Sequence, residues 1–174
     1  MSTATHQTAQ TAQTAHQTVF GSLARYRKGS IEVTQGSARH YVFSNIFEVA
    51  AHAAPYDKVV VGKNLEYVIE TLRAEGVSPW YACAHDEFAV LMDGEVRVDL
   101  ISLNEAPASG KGTVLAGAEP AGKPMGHIVL RQGHQCLLPA GCAYRFTALK
   151  PGVLLVQTIL GALSIEKWSE ICIK

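Results

Sequence analysis

The side chains best suited to chemistry lie in two runs, GVSPWYACAHDEFAVLMDGEV from Gly76 to Val96 and GHQCLLPAGCAY from Gly133 to Tyr144. Cys83 and Glu87 in the first run offer a soft thiolate and a carboxylate, a pair that zinc or iron accepts. The sequence sets no imidazole companion beside them at a familiar ligand spacing. His40, His85, His127 and His134 are the candidate histidines, and none stands in an HxH or HxxxH pair. Each therefore reads as a surface or hydrogen-bonded structural residue rather than a ligand. Trp80 and Tyr81 follow Ser78-Pro79, so a proline-anchored loop ends in two aromatic rings. Such a loop packs at the mouth of its own domain, or reaches across an interface to line a neighbour's aromatic-substrate pocket.

The elements that must position these residues are mostly strands. After Gly94 the pattern alternates strictly, with Val96, Val98 and Leu100 expected inward and Glu95, Arg97 and Asp99 outward. Further strands are predicted at Tyr41–Val49, Val59–Val61, His127–Arg131, Cys136–Leu138, Tyr144–Ala148 and Val153–Leu160. Breaks fall at Gly133, Pro139-Ala140-Gly141 and Pro151-Gly152. Leu65, Val68, Ile69 and Leu72 stand at helical spacing after Asn64, which predicts a short capped helix closed by Gly76. Many short strands with Gly/Pro punctuation indicate an all-β sandwich or barrel. Residues 104–126 interrupt the rhythm as a long loop, a length usually reserved for functional or disordered connections.

Composition narrows the class. The chain of 174 residues fits one domain, here residues 19–174, with a polar low-complexity tail over residues 1–18. That Thr/Ala/Gln tail cannot bury enough apolar area to offset its ordering entropy, so it is expected to be mobile in isolation and held only by a partner's surface. Lys+Arg and Asp+Glu are equal, 15 against 15, which argues against nucleic acid and anionic membranes as partners. No secretory leader and no membrane-spanning stretch is apparent. The cysteines Cys83, Cys136, Cys142 and Cys172 form no CxxC pair and read as reduced thiols of a cytoplasmic protein.

Taken in order, the two runs resemble the paired motifs of the cupin superfamily, which folds as a double-sheet jelly-roll barrel. Glu87 and Gly94 keep the interval of the first motif, and Gly133, Pro139 and Gly141 keep that of the second. The resemblance places the family's histidine ligands at Tyr81, Cys83 and Tyr144, so only Glu87 survives of the four metal positions. A lone carboxylate cannot hold a divalent ion against water, and no metal is expected in this chain. Tyr81 and Tyr144 could do acid/base chemistry without metal, but an ordinary phenol near pKa ~10 needs strong help at neutral pH. Two buried rings filling the volume of a vanished site is the simpler reading.

The chain further resembles the small subunit of two-component hydroquinone 1,2-dioxygenases. The resemblance rests on its size, on YACAHDEFAVLMDGE, LPAGCAYRF and RYRKGSIEV (Arg25 to Val33), and covers most of the chain. It implies a heterotetramer of two small and two large subunits, whose larger cupin-like chain carries a non-haem Fe(II). That assembly opens hydroquinone with O2 to 4-hydroxymuconic semialdehyde in 4-nitrophenol and hydroquinone breakdown. This chain would then supply stability and, through Trp80 and Tyr81, one wall of the partner's active-site entrance. A free-standing cupin enzyme and a metal-free small-molecule-binding cupin remain as alternatives. No output module such as a basic DNA-binding helix pair accompanies the barrel.

Overall fold

The computed structural model describes residues 20–36, 44–107 and 112–172. The 1–18 tail and His40 lie outside the described residues. Its elements are α1 (Ile46–His52), β1 (Lys58–Asn64), β2 (Tyr67–Ala74), β3 (Tyr81–Ala82), β4 (Glu87–Leu103) and β5 (Val114–Leu115). After these come β6 (Gly122–Arg131), β7 (Gln135–Leu138), β8 (Cys142–Ile159), β9 (Ser164–Ile165) and α2 (Trp168–Ile171). The strands form one curled antiparallel sheet, ordered β5-β3-β8-β2-β1-β9 with β4, β6 and β7 attached through β4, and only β1 and β9 run parallel. This is the expected all-β cupin jelly roll with a short helix.

Two long strands organise it. The start of β4, Glu87–Val90, lies between β7 and the second half of β8, whereas Glu95–Ser102 lies between β6 and the first half of β8. The alternation read from the sequence holds, since Val96, Val98 and Leu100 are buried in the main core. The expected break at Pro151-Gly152 is not there. β8 runs through both residues as one strand, and its pairing with β4 absorbs the irregularity as register shifts between Leu91 and Val96. Close approach makes this possible: a Cβ on Gly94, whose φ is +87, would sit 2.6 Å from the Lys150 carbonyl oxygen.

Two elements differ in kind from the sequence reading. The helix expected after Asn64 is instead the β1–β2 hairpin, turning at Leu65 with φ +58. Val68, Leu72 and Ala74 share one face of β2 with Glu70, all buried, so a period of two was hidden inside helical spacing by the charged Glu70. The strand expected over Tyr41–Val49 is contradicted from Ile46 onward by α1; residues 41–43 lie outside the described set. The Asn45 side chain accepts from the Phe47 and Glu48 amides at 3.0 and 3.2 Å and starts the helix. Val49 and Ala53 then pack on Val59, while Thr71 donates to the Ile46 carbonyl at 3.4 Å. Tertiary burial and a good cap outweigh β-propensity there. The long 104–126 loop is also shorter than expected, because β5 pairs with β3 and β6 begins at Gly122 opposite Leu103.

Candidate functional site

The second motif's turn docks onto the first motif's turn. Gly141, with φ +73, donates its amide to the Cys83 carbonyl at 3.0 Å, and Ala140 donates to Asp86 Oδ1 at 2.9 Å. Just beyond, Tyr81 stands opposite Tyr144 and Ala82 opposite Ala143, so β3 and β8 carry both tyrosines into the barrel. Their rings lie 5.7 Å apart, and Phe146 joins them at 5.4 Å from Tyr144. The four positions Tyr81, Cys83, Glu87 and Tyr144 thus converge, all buried.

Glu87 is the hub. It is 0 % exposed, and its two oxygens each accept a 2.6 Å hydrogen bond, one from the Tyr144 hydroxyl and one from Thr113 Oγ1. Tyr144 therefore does not merely fill space, since its hydroxyl satisfies a buried acceptor. Burial pushes the Tyr144 phenol well above its ordinary range, and the neighbouring Glu87 adds to the shift. Burial likewise pushes Tyr81 up to about 12. Both phenols stay protonated at neutral pH and are poorly suited to act as bases.

Beside this hub the structure corrects the reading of Cys83 as a thiol without an imidazole companion. The His85 ring lies next to it, with Nδ1 3.1 Å from Cys83 Sγ, and His85 Nε2 is 3.1 Å from Thr158 Oγ1. Cys83 also donates to the Gly112 carbonyl at 3.2 Å, and burial raises its thiol above the ordinary value. Ligand atoms of Cys83, His85 and Glu87 lie within 4.8 Å of one another. The signal was present as C-x-H-x-E, alternate residues along an extended turn, a spacing unlike either HxH or HxxxH. His127 and His134 are exposed on and after β6 and join no such group among the described residues.

A second buried constellation was not visible in the sequence. Lys58, 2 % exposed, pairs with Glu70, 0 % exposed, at 2.9 Å. Ser164 Oγ donates to the other Glu70 oxygen at 2.6 Å, and the Lys58 ammonium lies 5.2 Å from the Tyr81 ring centroid. A polar layer thus runs through the barrel from Glu70 to Lys58 and Tyr81. Glu70 stands in the inward row of β2, which is the only sequence signal that could have found it.

Trp80 sits apart from these groups, half-buried at the edge of a groove of about 430 Å³ lined by Ser78, Pro79, Leu115 and Arg145. The Arg145 guanidinium lies 4.5 Å from its ring centroid, a cation–π contact that restrains the indole at the groove. Among the described residues no helix is long and apolar enough to cross a membrane.

Known structures resemble the whole chain. A chain of the hydroquinone 1,2-dioxygenase PnpCD, solved with Cd2+ and 4-hydroxybenzonitrile, is 62% identical over 94% of this chain and 100% of that one, with a TM-score of 0.91. A chain of hydroquinone 1,2-dioxygenase from Sphingomonas sp. TTNP3, solved with 4-hydroxybenzoate, is 52% identical over 91% of this chain and 98% of that one, with a TM-score of 0.88. A different, longer chain of PnpCD, from a structure with Fe3+, shares only the fold, at 17% identity over 80% of this chain and 39% of that chain, TM-score 0.57. No family model matches the chain, and no curated protein sequence does. With 62% and 52% identity to two such chains over matches that cover 94% and 91% of its length, this cupin belongs to the hydroquinone 1,2-dioxygenase family.

Proposed function

We propose that this chain is the small, non-catalytic subunit of a heteromeric Fe(II)-dependent hydroquinone 1,2-dioxygenase. The assembly adds both atoms of O2 across a ring bond of hydroquinone and opens it to 4-hydroxymuconic semialdehyde, within cytoplasmic 4-nitrophenol and hydroquinone breakdown. The observation that carries the division of labour is the Tyr144–Glu87 hydrogen bond. Where a catalytic cupin would aim imidazoles at an iron with open positions for oxygen and substrate, this barrel closes on itself with phenols. Its vestigial metal positions are Tyr81, Cys83, Glu87 and Tyr144, and none carries a catalytic role.

The iron then sits in a larger cupin-like partner, in an arrangement of two small and two large chains. The longer PnpCD chain, of which this chain's match covers 39%, has the size and fold such a partner needs. Trp80, half-buried at its groove and packed against Arg145, is the residue of this chain best placed to form part of the partner's active-site entrance, with Tyr81 next to it in sequence. The polar tail, residues 1–18, is a segment suited to wrapping that partner at an entropic cost met on binding.

Co-expression with the larger chain tests the assembly. The two are expected to purify together, and deletion of residues 1–18 is expected to weaken the complex while leaving the barrel folded, as read by size-exclusion chromatography with light scattering. Unchanged assembly and activity after the deletion would remove the tail from the interface.

A further inference from the structure

We propose that Cys83 Sγ, His85 Nδ1 and a Glu87 oxygen form a binding site for one thiophilic divalent cation of the zinc class. The proposal is independent of the subunit reading, because such an ion is structural and leaves the ring-opening chemistry with iron elsewhere. It also differs from the four motif positions: Tyr81 and Tyr144 take no part as ligands, and His85 lies outside that set.

Charge is the first argument. Glu87 is 0 % exposed and accepts two hydroxyl hydrogen bonds, yet among the described residues no Lys or Arg pairs with it. Among the described residues the buried ammonium is that of Lys58, and it is already engaged by Glu70. Buried carboxylates are ordinarily paired or bound to a metal. A dication shared with a thiolate would neutralise the carboxylate and leave the site without net charge.

Geometry is the second. The three ligand atoms lie within 4.8 Å of one another, with the sulfur beside the imidazole, 3.1 Å from Nδ1 and 3.4 Å from Nε2. Tetrahedral zinc places thiolate, imidazole and carboxylate donors about 3.3–3.7 Å apart, so a movement of about 1 Å with a turn of the His85 ring that aims Nδ1 between sulfur and carboxylate completes the set. The supporting contacts are already in place. His85 Nε2 lies 3.1 Å from Thr158 Oγ1, and the tautomer that donates there leaves the Nδ1 lone pair for the ion, while Tyr144 and Thr113 orient the carboxylate. The thiolate selects zinc or cadmium over harder ions. On binding, the Cys83 S–H bond breaks, its proton leaves to solvent and its contact with the Gly112 carbonyl is given up.

Titration of the chelator-treated full-length chain with Co2+ tests the site. The expected result is a near-ultraviolet thiolate-to-cobalt charge-transfer band that saturates at one equivalent and is displaced by Zn2+. Cys83→Ser should abolish the band and Cys172→Ser, at a half-exposed cysteine, should leave it intact. Thr158→Val should weaken cobalt affinity about 10- to 100-fold by removing the His85 partner, and gives a readout even if Cys83→Ser fails to fold. No band from the unmodified chain, or a band that survives Cys83→Ser with its affinity unchanged, would overturn the proposal.

Discussion

Replacing Lys58 with methionine is expected to destabilise the barrel by about 3–5 kcal/mol, measured by urea unfolding. The cost comes from Glu70, left as an unpaired carboxylate at 0 % exposure rather than from the loss of attraction as such. Ser164 would still donate to one of its oxygens, but a hydroxyl does not supply the missing positive charge. The companion experiment separates these effects. Lys58→Met combined with Glu70→Leu removes both charges, so the double variant should recover most of the loss and can even exceed the parent, since well-packed apolar pairs often equal a buried ion pair. If the single and double variants were equally unstable, packing rather than the orphaned charge would be the cause. With typical domain stabilities of about 5–15 kcal/mol, the single change should approach global unfolding.

Phe146→Ala is expected to cost a similar amount, about 3–5 kcal/mol, through a different mechanism. Phe146 is fully buried on β8 and is the ring common to the aromatic cluster, stacked on Tyr56 at 6.3 Å and tilted against Tyr81 and Tyr144 at 6.5 and 5.4 Å. Its carbonyl also accepts from the Ser78 amide while its own amide donates to Ser78 Oγ, both at 2.9 Å, so β8 stays anchored to the 76–80 loop whatever the side chain. The cavity should therefore persist rather than collapse, and the loss should sit near the upper part of that range. Phe146→Leu, which restores most of the volume, should lose clearly less. A loss below about 1 kcal/mol for the alanine variant would mean that Tyr81 or Tyr144 swings in to refill the space. Movement of Tyr144 would break the Tyr144–Glu87 hydrogen bond on which the closed site depends.

Much of the barrel was legible because its elements obey simple periods. Val96, Val98 and Leu100 alternate without interruption, and Gly133, Pro139 and Gly141 punctuate strands where tight turns are required. The reading failed where a buried polar residue disguised a period. Glu70, which is charged yet inward, broke the alternation of β2 and left Leu65, Val68, Ile69 and Leu72 to suggest a helix. It failed again where a long strand tolerates Pro151-Gly152, because the crossing with Gly94 lies in the tertiary structure and not in the local sequence. At the site, Tyr81, Cys83, Glu87 and Tyr144 lie in one buried group within the two motif runs. His85 and Thr113 escaped because one lacks a familiar ligand spacing and the other reaches Glu87 from a separate segment, 26 residues away in sequence.

Hydroquinone turnover by the separated chain tests the central claim most directly. The purified 174-residue chain, supplied anaerobically with Fe(II) and then exposed to O2 and hydroquinone, should form no ring-opened product. The same preparation mixed with the larger chain should form it, with O2 consumed in equal amount. Ring opening by this chain alone, lost on Glu87→Gln, would place the reaction inside the barrel that Tyr81 and Tyr144 close.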